Sequence, residues 1–172
     1  MVIIFTGNGK GKTTAALGQA LRSAGEGKRV LMVQFIKGPW KSGEDESAKL
    51  LAPNFVLKKM GRGFVGILGD TLPRAEHAKA AGEALDYAKS EIESGRWDMV
   101  ILDEINNAVS LNLISKEKIL ELLHLTPNTC HLILTGRDAP PEFIERADLV
   151  TEMRDVKHPF EQGVKAKRGL EY

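Results

Sequence analysis

The chain has 172 residues, enough for one domain with a sizeable core, and its 42% hydrophobic and 27% charged content is ordinary for a soluble globular protein. Its formal net charge of +1 disfavours nucleic-acid binding, which usually requires a basic excess, and no apolar run approaches the roughly 20 residues of a membrane-spanning helix. The chain opens on a strand pattern without a signal peptide and has one cysteine, Cys130, so we expect a reducing, cytoplasmic location.

The first strand and the turn after it carry the strongest functional signal. An apolar strand is predicted at residues 2–6, and a helix is predicted at residues 13–24. Between them lies a glycine-rich stretch that reads Gly7-Asn8-Gly9-Lys10-Gly11-Lys12-Thr13-Thr14. In such a turn, backbone N–H groups surround phosphate oxygens, the lysine before the threonine reaches the outer phosphates, and the threonine hydroxyl binds Mg²⁺. The stretch therefore predicts a P-loop, with Lys12 on the phosphates and Thr13 on the metal.

This P-loop departs from the usual spacing. The usual pattern places four residues between its first glycine and the Gly-Lys pair, whereas three separate Gly7 from Gly11, and Thr6 occupies the usual glycine position. We expect a tighter loop that holds the phosphate chain differently from the loop of kinases or GTPases. A glycine-rich turn without a ligand is the alternative, and the order of strand, Gly-Lys-Thr-Thr and helix disfavours it.

The second strand is predicted at residues 29–35, because its near-continuous apolar character suits a strand covered on both faces. A polar loop at residues 37–44 follows the carboxyl end of this strand, where open α/β sheets bind ligands. Trp40 in this loop either covers a flat ligand or packs on its neighbours, and the sequence favours neither.

A loop of unusual composition follows the short third strand predicted at residues 55–60. Residues 61–69 contain four glycines, which make the segment flexible, and they also carry apolar side chains such as Phe64. Exposed apolar side chains on a flexible loop are unusual for a plain connector. We therefore predict a mobile loop that covers a ligand, rather than a loop packed against the core.

The longest helix is predicted at residues 73–94, with His77 on its polar face. A strand at residues 97–104 then ends in two carboxylates, Asp103 and Glu104. This is the Walker B arrangement, in which a carboxylate holds Mg²⁺ directly or through water. The two side chains of an extended strand point to opposite faces, so we expect only one to serve the metal. An ordinary strand-end acid is the alternative, and the P-loop disfavours it.

Two further strands are predicted at residues 130–135 and 149–153. Cys130 and His131 begin the first of them, at the end away from the site, and we interpret both as structural. Arg137 follows the same strand at the functional edge, where it is a candidate phosphate ligand. The remaining predictions are a helix or turn at 105–113, an amphipathic helix at 115–123 with His124 at its end, and a short helix at 140–144.

The alternation of strands and helices predicts an α/β fold with a mostly parallel sheet and helices on both faces. No internal repeat or linker divides the chain, so we expect a single P-loop domain over residues 1–172. Residues 156–172 form a basic tail. We expect this tail to fold back on the domain, because it carries Phe160 and Tyr172.

Several segments together are specific to one family. They read TGNGKGKTTAA, VQFIKG, the Gly63-Phe64 loop, VILDE, TGR, and a tail with VKH, GVKA and a final tyrosine, in this order. Over essentially its whole length the chain resembles the P-loop type of ATP:cob(I)alamin (corrinoid) adenosyltransferases.

The resemblance implies a RecA-like P-loop NTPase fold and a homodimer. It also implies transfer of the 5′-deoxyadenosyl group from ATP to cobalt(I) of a reduced corrinoid, with release of tripolyphosphate, in cytoplasmic adenosylcobalamin synthesis or salvage. The resemblance further implies a metal ion, Mg²⁺ or Mn²⁺, and an electron-donating reductase or flavodoxin as a partner. In that family the nucleotide bound at the short P-loop has the reverse orientation to the nucleotide in ordinary P-loop enzymes. Members often carry an N-terminal extension before the first strand, and a tryptophan where this chain has Gly66.

The chemistry assigns each candidate residue a task. The nucleotide is expected to contact Thr6, Gly7, Asn8, Gly9, Lys10, Gly11, Lys12, Thr13, Thr14 and Arg137. Lys12 is expected to neutralise the leaving polyphosphate. Phe64 is expected to fill an axial face of the corrinoid, which makes cobalt(II) reducible.

Two other functions remain alternatives. A small P-loop kinase or NTPase would transfer the γ-phosphoryl group and release ADP. A RecA-like ATP-dependent nucleic-acid binder is disfavoured by the neutral charge and by the lack of an aromatic and basic stripe.

Overall fold

The computed structural model describes residues 1–38, 40–67, 69–159 and 163–170. These residues contain six strands, which are β1 (Val2–Thr6), β2 (Val30–Gln34), β3 (Phe55–Lys59), β4 (Met99–Asp103), β5 (His131–Thr135) and β6 (Leu149–Glu152). They also contain six helices, which are α1 (Lys12–Gly25), α2 (Gly43–Leu50), α3 (Arg74–Glu93), α4 (Ile105–Ser110), α5 (Lys116–Leu125) and α6 (Pro141–Arg146). Within the described ranges, no helix is long and apolar enough to cross a bilayer. The predicted packing roles of Phe160 and Tyr172 lie outside the described residues.

The strands form one sheet in the order β3-β2-β4-β5-β1-β6. Every strand pairing in the described part of the chain is parallel. All five residues of β2 and of β4 are buried, as expected for central strands covered on both faces. The predicted α/β fold with a parallel sheet is confirmed.

Helices cover both faces of the sheet. On one face, Ala16 and Ala20 of α1 pack with Met32, Ile101 and Ile133 of the strands. The alternate strand residues face the other layer, where small alanines of α3 lie close to the sheet. That core contains Leu31, Val33, Leu102, Leu134, Ala81, Ala84, Ala88, Ile105, Ile119 and Phe143. The two-residue period of the strands thus divides the core into two layers.

Helix α2 was not predicted, since the sequence analysis expected a polar loop at residues 37–44 and assigned no element between that loop and the third strand. It has no buried residue, so no apolar face marks it in the sequence. Polar contacts hold its first turn instead. Asp45 Oδ2 accepts hydrogen bonds from the Ser42 backbone N–H at 2.7 Å and from Lys59 Nζ of β3 at 2.6 Å.

The predicted exposure of His77 is wrong. Its side chain on α3 is buried, with 3% of the residue exposed. The ring fits there because Asp70, from the segment before the helix, supplies a polar partner for Nε2 at 3.1 Å. A buried polar group with a hydrogen-bond partner avoids most of its desolvation cost.

Candidate active site

The carboxyl ends of four neighbouring strands each carry a polar residue. In sheet order these are Gln34 of β2, Asp103 of β4, Thr135 of β5 and Thr6 of β1, and all four side chains are buried. The edge formed by the carboxyl ends of parallel strands is where α/β proteins bind ligands. The row therefore marks the candidate site, and the P-loop begins directly after Thr6.

The P-loop needs its glycines for two different reasons. Gly7 has φ +92° and Gly11 has φ +120°, conformations that residues with a side chain rarely adopt. Gly9 is required by space, since a Cβ atom there would lie 2.7 Å from the backbone carbonyl of Arg154. The Gly9 N–H also donates to the Met153 carbonyl oxygen at 2.6 Å. The P-loop therefore rests on the segment that follows β6.

Lys12 begins α1, and its ammonium points back over the loop. Nζ donates to the carbonyl oxygens of Gly7 at 2.7 Å and Gly9 at 2.8 Å, and 8% of the residue is exposed. Burial lowers the pKa of Lys12, while the carboxylate of Glu104 opposes that shift. The lysine thus lies at the opening of the loop, where phosphate oxygens can replace the two carbonyls.

Asp103 is the centre of a buried hydrogen-bond cluster. Its Oδ1 accepts from Thr13 Oγ1 at 2.9 Å and from Thr135 Oγ1 at 2.7 Å, and its Oδ2 accepts from Gln34 Nε2 at 3.0 Å. Lys37 Nζ lies 3.7 Å from Oδ2. The fold therefore brings together Thr13 and Asp103, two of the three candidate metal ligands.

Glu104, the third candidate, follows Asp103 in a left-handed conformation with φ +64°, and its backbone N–H donates to Thr135 Oγ1 at 2.9 Å. The backbone turns here, so the alternation of an extended strand does not decide where this side chain points. Burial raises the pKa of Glu104, and the neighbouring Asp103 carboxylate raises it further. Two carboxylates close together favour binding of a cation.

The oxygen ligands of Thr13, Asp103 and Glu104 suit Mg²⁺, which prefers hard oxygen donors. Among the residues that the structure describes, no group of three His, Cys, Asp or Glu side chains comes together to hold a metal alone. A magnesium ion here would therefore take its remaining ligands from phosphate oxygens and water, as is usual for Mg²⁺ with nucleotides.

Two pockets flank the P-loop, and Lys10 and Lys12 line both of them. The larger, of about 710 Å³, lies between α1 and α2 and also contacts Lys37 and Glu104. The smaller, of about 340 Å³, is lined by Arg137 together with the first residues of the loop. Arg137 therefore lies beside the P-loop, where it was predicted to lie.

An exposed aromatic pair lies beyond β2 and β3. The rings of Trp40 and Phe64 stack with centroids 5.8 Å apart and an angle of 27°. Trp40 is 60% exposed and Phe64 is 47% exposed, so both rings keep a free face. Lys59 Nζ donates to the Trp40 carbonyl oxygen at 2.8 Å. Trp40 thus packs on a neighbour and still presents an apolar surface.

Comparison with known proteins identifies the family. The family model described as "ATP:corrinoid adenosyltransferase BtuR/CobO/CobP" matches residues 1–172. The chain belongs to the ATP:corrinoid adenosyltransferase family.

Curated relatives agree with this assignment. The chain is 42% identical over 173 residues to the corrinoid adenosyltransferase of Escherichia coli strain K12, a match that covers 100% of this chain and 85% of that protein. It is 40% identical over 173 residues to corrinoid adenosyltransferase CobA of Salmonella typhimurium, with the same coverage. The γ-phosphoryl transfer considered as an alternative is therefore not favoured.

A solved structure supports the fold. The KaiC-like protein PH0186 of Pyrococcus horikoshii OT3 superposes with a TM-score of 0.53 over 88% of this chain and 71% of that chain. The identity is 16%, so the likeness concerns the fold alone, and it confirms the predicted RecA-like P-loop NTPase architecture of this adenosyltransferase family member.

Three residues of the candidate site had no role in the sequence analysis. They are Gln34, Lys37 and Thr135, which all lie next to Asp103 or donate to it. Gln34 and Thr135 each end an apolar strand in a polar residue, which is the same signal that identified Asp103. The predicted structural residues Cys130 and His131 lie at the amino end of β5, at the opposite end of that strand from the site.

Proposed function

We propose that this chain transfers the 5′-deoxyadenosyl group of ATP to cobalt(I) of a reduced corrinoid and releases tripolyphosphate. The support is the family match over the whole chain, together with a P-loop whose Lys12 and Thr13 lie at the carboxyl edge of the sheet. The catalytic roles of the residues below belong to this proposal.

The reaction needs positioning and charge neutralisation more than acid–base chemistry. The cobalt(I) electron pair forms the Co–C5′ bond, the C5′–O bond breaks, and its electrons leave with tripolyphosphate, while cobalt is oxidised to cobalt(III). No proton has to be removed. Lys12, the backbone N–H groups of the P-loop and Arg137 stabilise the leaving polyphosphate. Thr13 with Asp103 or Glu104 would hold Mg²⁺ or Mn²⁺, which would neutralise part of the phosphate charge.

The corrinoid is placed against the Trp40 and Phe64 pair. Both rings are exposed and lie at the carboxyl side of the sheet, where a broad, partly apolar ligand can bury them. Phe64 excludes an axial ligand from cobalt(II), which makes the metal easier to reduce. Trp40 supplies a second ring beside Phe64 in a chain that has Gly66 where relatives often carry tryptophan.

Further parts of the proposal rest on the family resemblance. The protein acts as a homodimer in the cytoplasm, in adenosylcobalamin synthesis or salvage, and receives electrons through a reductase or flavodoxin. The chain forms one domain, with its tail lying on the P-loop. The hydrogen bond from Lys10 Nζ to the Leu170 carbonyl oxygen, at 2.6 Å, supports this placement of the tail.

Product analysis tests the proposed reaction. The protein is incubated anaerobically with ATP, Mg²⁺ and chemically reduced cobalamin, and the spectrum is followed. We expect the adenosylated corrinoid to form, and phosphorus NMR to show intact tripolyphosphate in equal amount. ADP and phosphate in proportion to turnover would instead support the kinase or NTPase alternative.

Phe64→Ala tests the proposed corrinoid contact. We expect this variant to lose more activity when the assay starts from cobalt(II) with a reductase than when it starts from cobalt(I), because only the first assay needs exclusion of an axial ligand. Electron paramagnetic resonance should show four-coordinate cobalt(II) with wild type and ATP, but not with the variant. Ile67→Ala, another exposed apolar side chain of the loop, is the matched control. Equal losses of activity in the two assays would contradict this role and would indicate that Phe64 only packs against its neighbours.

A further inference from the structure

The glycine-rich loop that carries Phe64 is closed at its far end by Asp70. Its carboxylate Oδ2 accepts from the Gly66 backbone N–H at 2.8 Å, and Oδ1 accepts from the Leu72 N–H at 3.0 Å. These backbone donors lower the pKa of the Asp70 carboxyl, so the group is ionised at neutral pH. One side chain thus fixes the loop just after Phe64 and the segment leading into α3.

His77 fixes Asp70 in turn. Its Nε2 lies 3.1 Å from both carboxylate oxygens, and a proton on that nitrogen is shared between them. The ring is buried on α3, whose alanines pack against the sheet. The carboxylate therefore connects a glycine-rich loop to a rigid part of the core.

The near end of the loop has its own anchor. The Gly61 N–H donates to the Gln34 carbonyl oxygen at 3.1 Å, and the Gly63 N–H donates to that of Ile36 at 2.9 Å. A Cβ atom on Gly61 would lie 2.4 Å from the Ile36 carbonyl carbon, which shows how closely the two backbones approach. Phe64 lies between this anchor and the contact of Asp70 with Gly66.

We propose that Asp70 and His77 are positioning residues that hold the Phe64 side chain at the corrinoid face. This inference rests on the proposed adenosyltransferase function. The glycine-rich segment loses much backbone entropy when it is ordered, and the hydrogen bonds to Asp70 offset that loss. Without them, Phe64 moves away from Trp40, and the apolar surface for the corrinoid is no longer preformed.

The first test measures the loop itself and does not depend on the enzymatic reaction. Arg62 lies exposed within the loop, so trypsin cleavage after Arg62, followed by mass spectrometry, reports loop opening. We expect His77→Leu and Asp70→Ala to be cut there at least ~5-fold faster than wild type, as expected for loss of hydrogen bonds to a charged group. His77→Gln, which keeps an N–H donor, should restore slow cleavage. His124→Gln, at an exposed site on α5, is the matched control. Unchanged cleavage in both disruptive variants would overturn the proposal.

The second test separates positioning from general damage. His77→Leu and Asp70→Ala should raise the KM for reduced cobalamin by ~5-fold or more while leaving the KM for ATP within about twofold. The four-coordinate cobalt(II) signal should fall in both variants and return in His77→Gln. Faster cleavage after Arg62 without any change in cobalamin KM or in the cobalt(II) signal would overturn the positioning role. A wild type that forms no adenosylated corrinoid would refute the proposed function, whereas the cleavage test would still show whether the two residues hold the loop.

Discussion

Lys12 and Thr135 illustrate how single residues prepare the site. Lys12 Nζ donates to the carbonyl oxygens of Gly7 and Gly9, and we propose that it exchanges these neutral acceptors for charged phosphate oxygens when a nucleotide binds. The Thr135 hydroxyl donates a hydrogen bond to the Asp103 carboxylate and accepts one from the Glu104 backbone N–H. Each residue can therefore be tested by a substitution that removes a defined set of hydrogen bonds.

Lys12→Ala should lower kcat/KM for ATP by at least ~10-fold, because a charge-assisted hydrogen bond contributes roughly 1.5–3 kcal/mol. Steady-state kinetics and calorimetric titration with ATP measure the loss. Lys28→Ala is the control, since Lys28 pairs with Asp98 just before β4 and is largely exposed. Wild-type kinetics in Lys12→Ala would remove the P-loop lysine from the mechanism.

Thr135→Val should lower the free energy of unfolding by about 1–3 kcal/mol, because the Glu104 N–H loses its acceptor and the buried Asp103 carboxylate keeps only its hydrogen bonds from Thr13 and Gln34. Urea denaturation measures this change. Thr135→Ser keeps the hydroxyl and should stay close to wild type. Equal destabilisation by valine and serine would mean that the Thr135 methyl group, rather than the hydroxyl, is what stabilises the site.

At the scale of elements, the P-loop and the end of β6 behave as one packed unit. The Gly9 N–H donates to the Met153 carbonyl oxygen, and the Met153 N–H donates to the Thr6 carbonyl oxygen. The loop therefore receives its shape partly from the segment after β6, which lies almost 150 residues away in the sequence. The P-loop is a contiguous motif in the sequence, but the residues that hold its shape include a segment far along the chain.

Gly9→Ala should lower both stability and ATP affinity. The new Cβ would lie 2.7 to 2.8 Å from backbone atoms of Arg154 and Met153, and the loop or the segment after β6 has to shift to make room. Gly82→Ala is the matched control, since nothing lies within 4 Å of its Cβ position on α3, and it should add about 0.5–1 kcal/mol of stability. Urea denaturation and ATP titration measure the two effects. A neutral Gly9→Ala would show that this close approach does not shape the loop.

At the scale of the whole molecule, the tail belongs to the proposed nucleotide site. Leu170 and Gly169 line the larger pocket, and the Leu170 carbonyl oxygen accepts a hydrogen bond from Lys10 Nζ of the P-loop. The P-loop, near the start of the chain, and the tail thus meet at the carboxyl edge of the sheet. A contribution of the tail to ATP binding follows from this contact.

Deletion of residues 163–172 should weaken ATP binding by ~5-fold while changing the free energy of unfolding by less than about 1 kcal/mol, since the lost contact is at the surface of the site rather than in the core. Calorimetry and urea denaturation measure the two quantities. Full ATP affinity in the truncated protein would contradict a role for the tail, and a large loss of stability would assign it to the core.

Local patterns were enough for much of the fold and for part of the site. β2, β4 and β5 are near-continuous apolar runs, and a buried parallel strand requires that composition. The P-loop and the strand ending at Asp103 are contiguous motifs, so their location at the carboxyl ends of strands could be predicted without knowledge of any other segment. Helix α2 could not be predicted in the same way, because none of its residues is fully buried, although Ala48 packs partly exposed against the core.

What the sequence by itself determined is therefore every described element except α2, together with the parallel α/β class, and it predicted the chemistry proposed for the P-loop and Asp103. Only the tertiary structure decided which polar strand ends meet. Gln34 and Thr135 reach Asp103 because β4 lies between β2 and β5 in the sheet. Likewise, His77 is buried because Asp70 turns back onto α3, and Gly9 is needed because Arg154 lies against it. Strand order and close backbone approach depend on packing between distant segments, which residue type and local spacing do not encode.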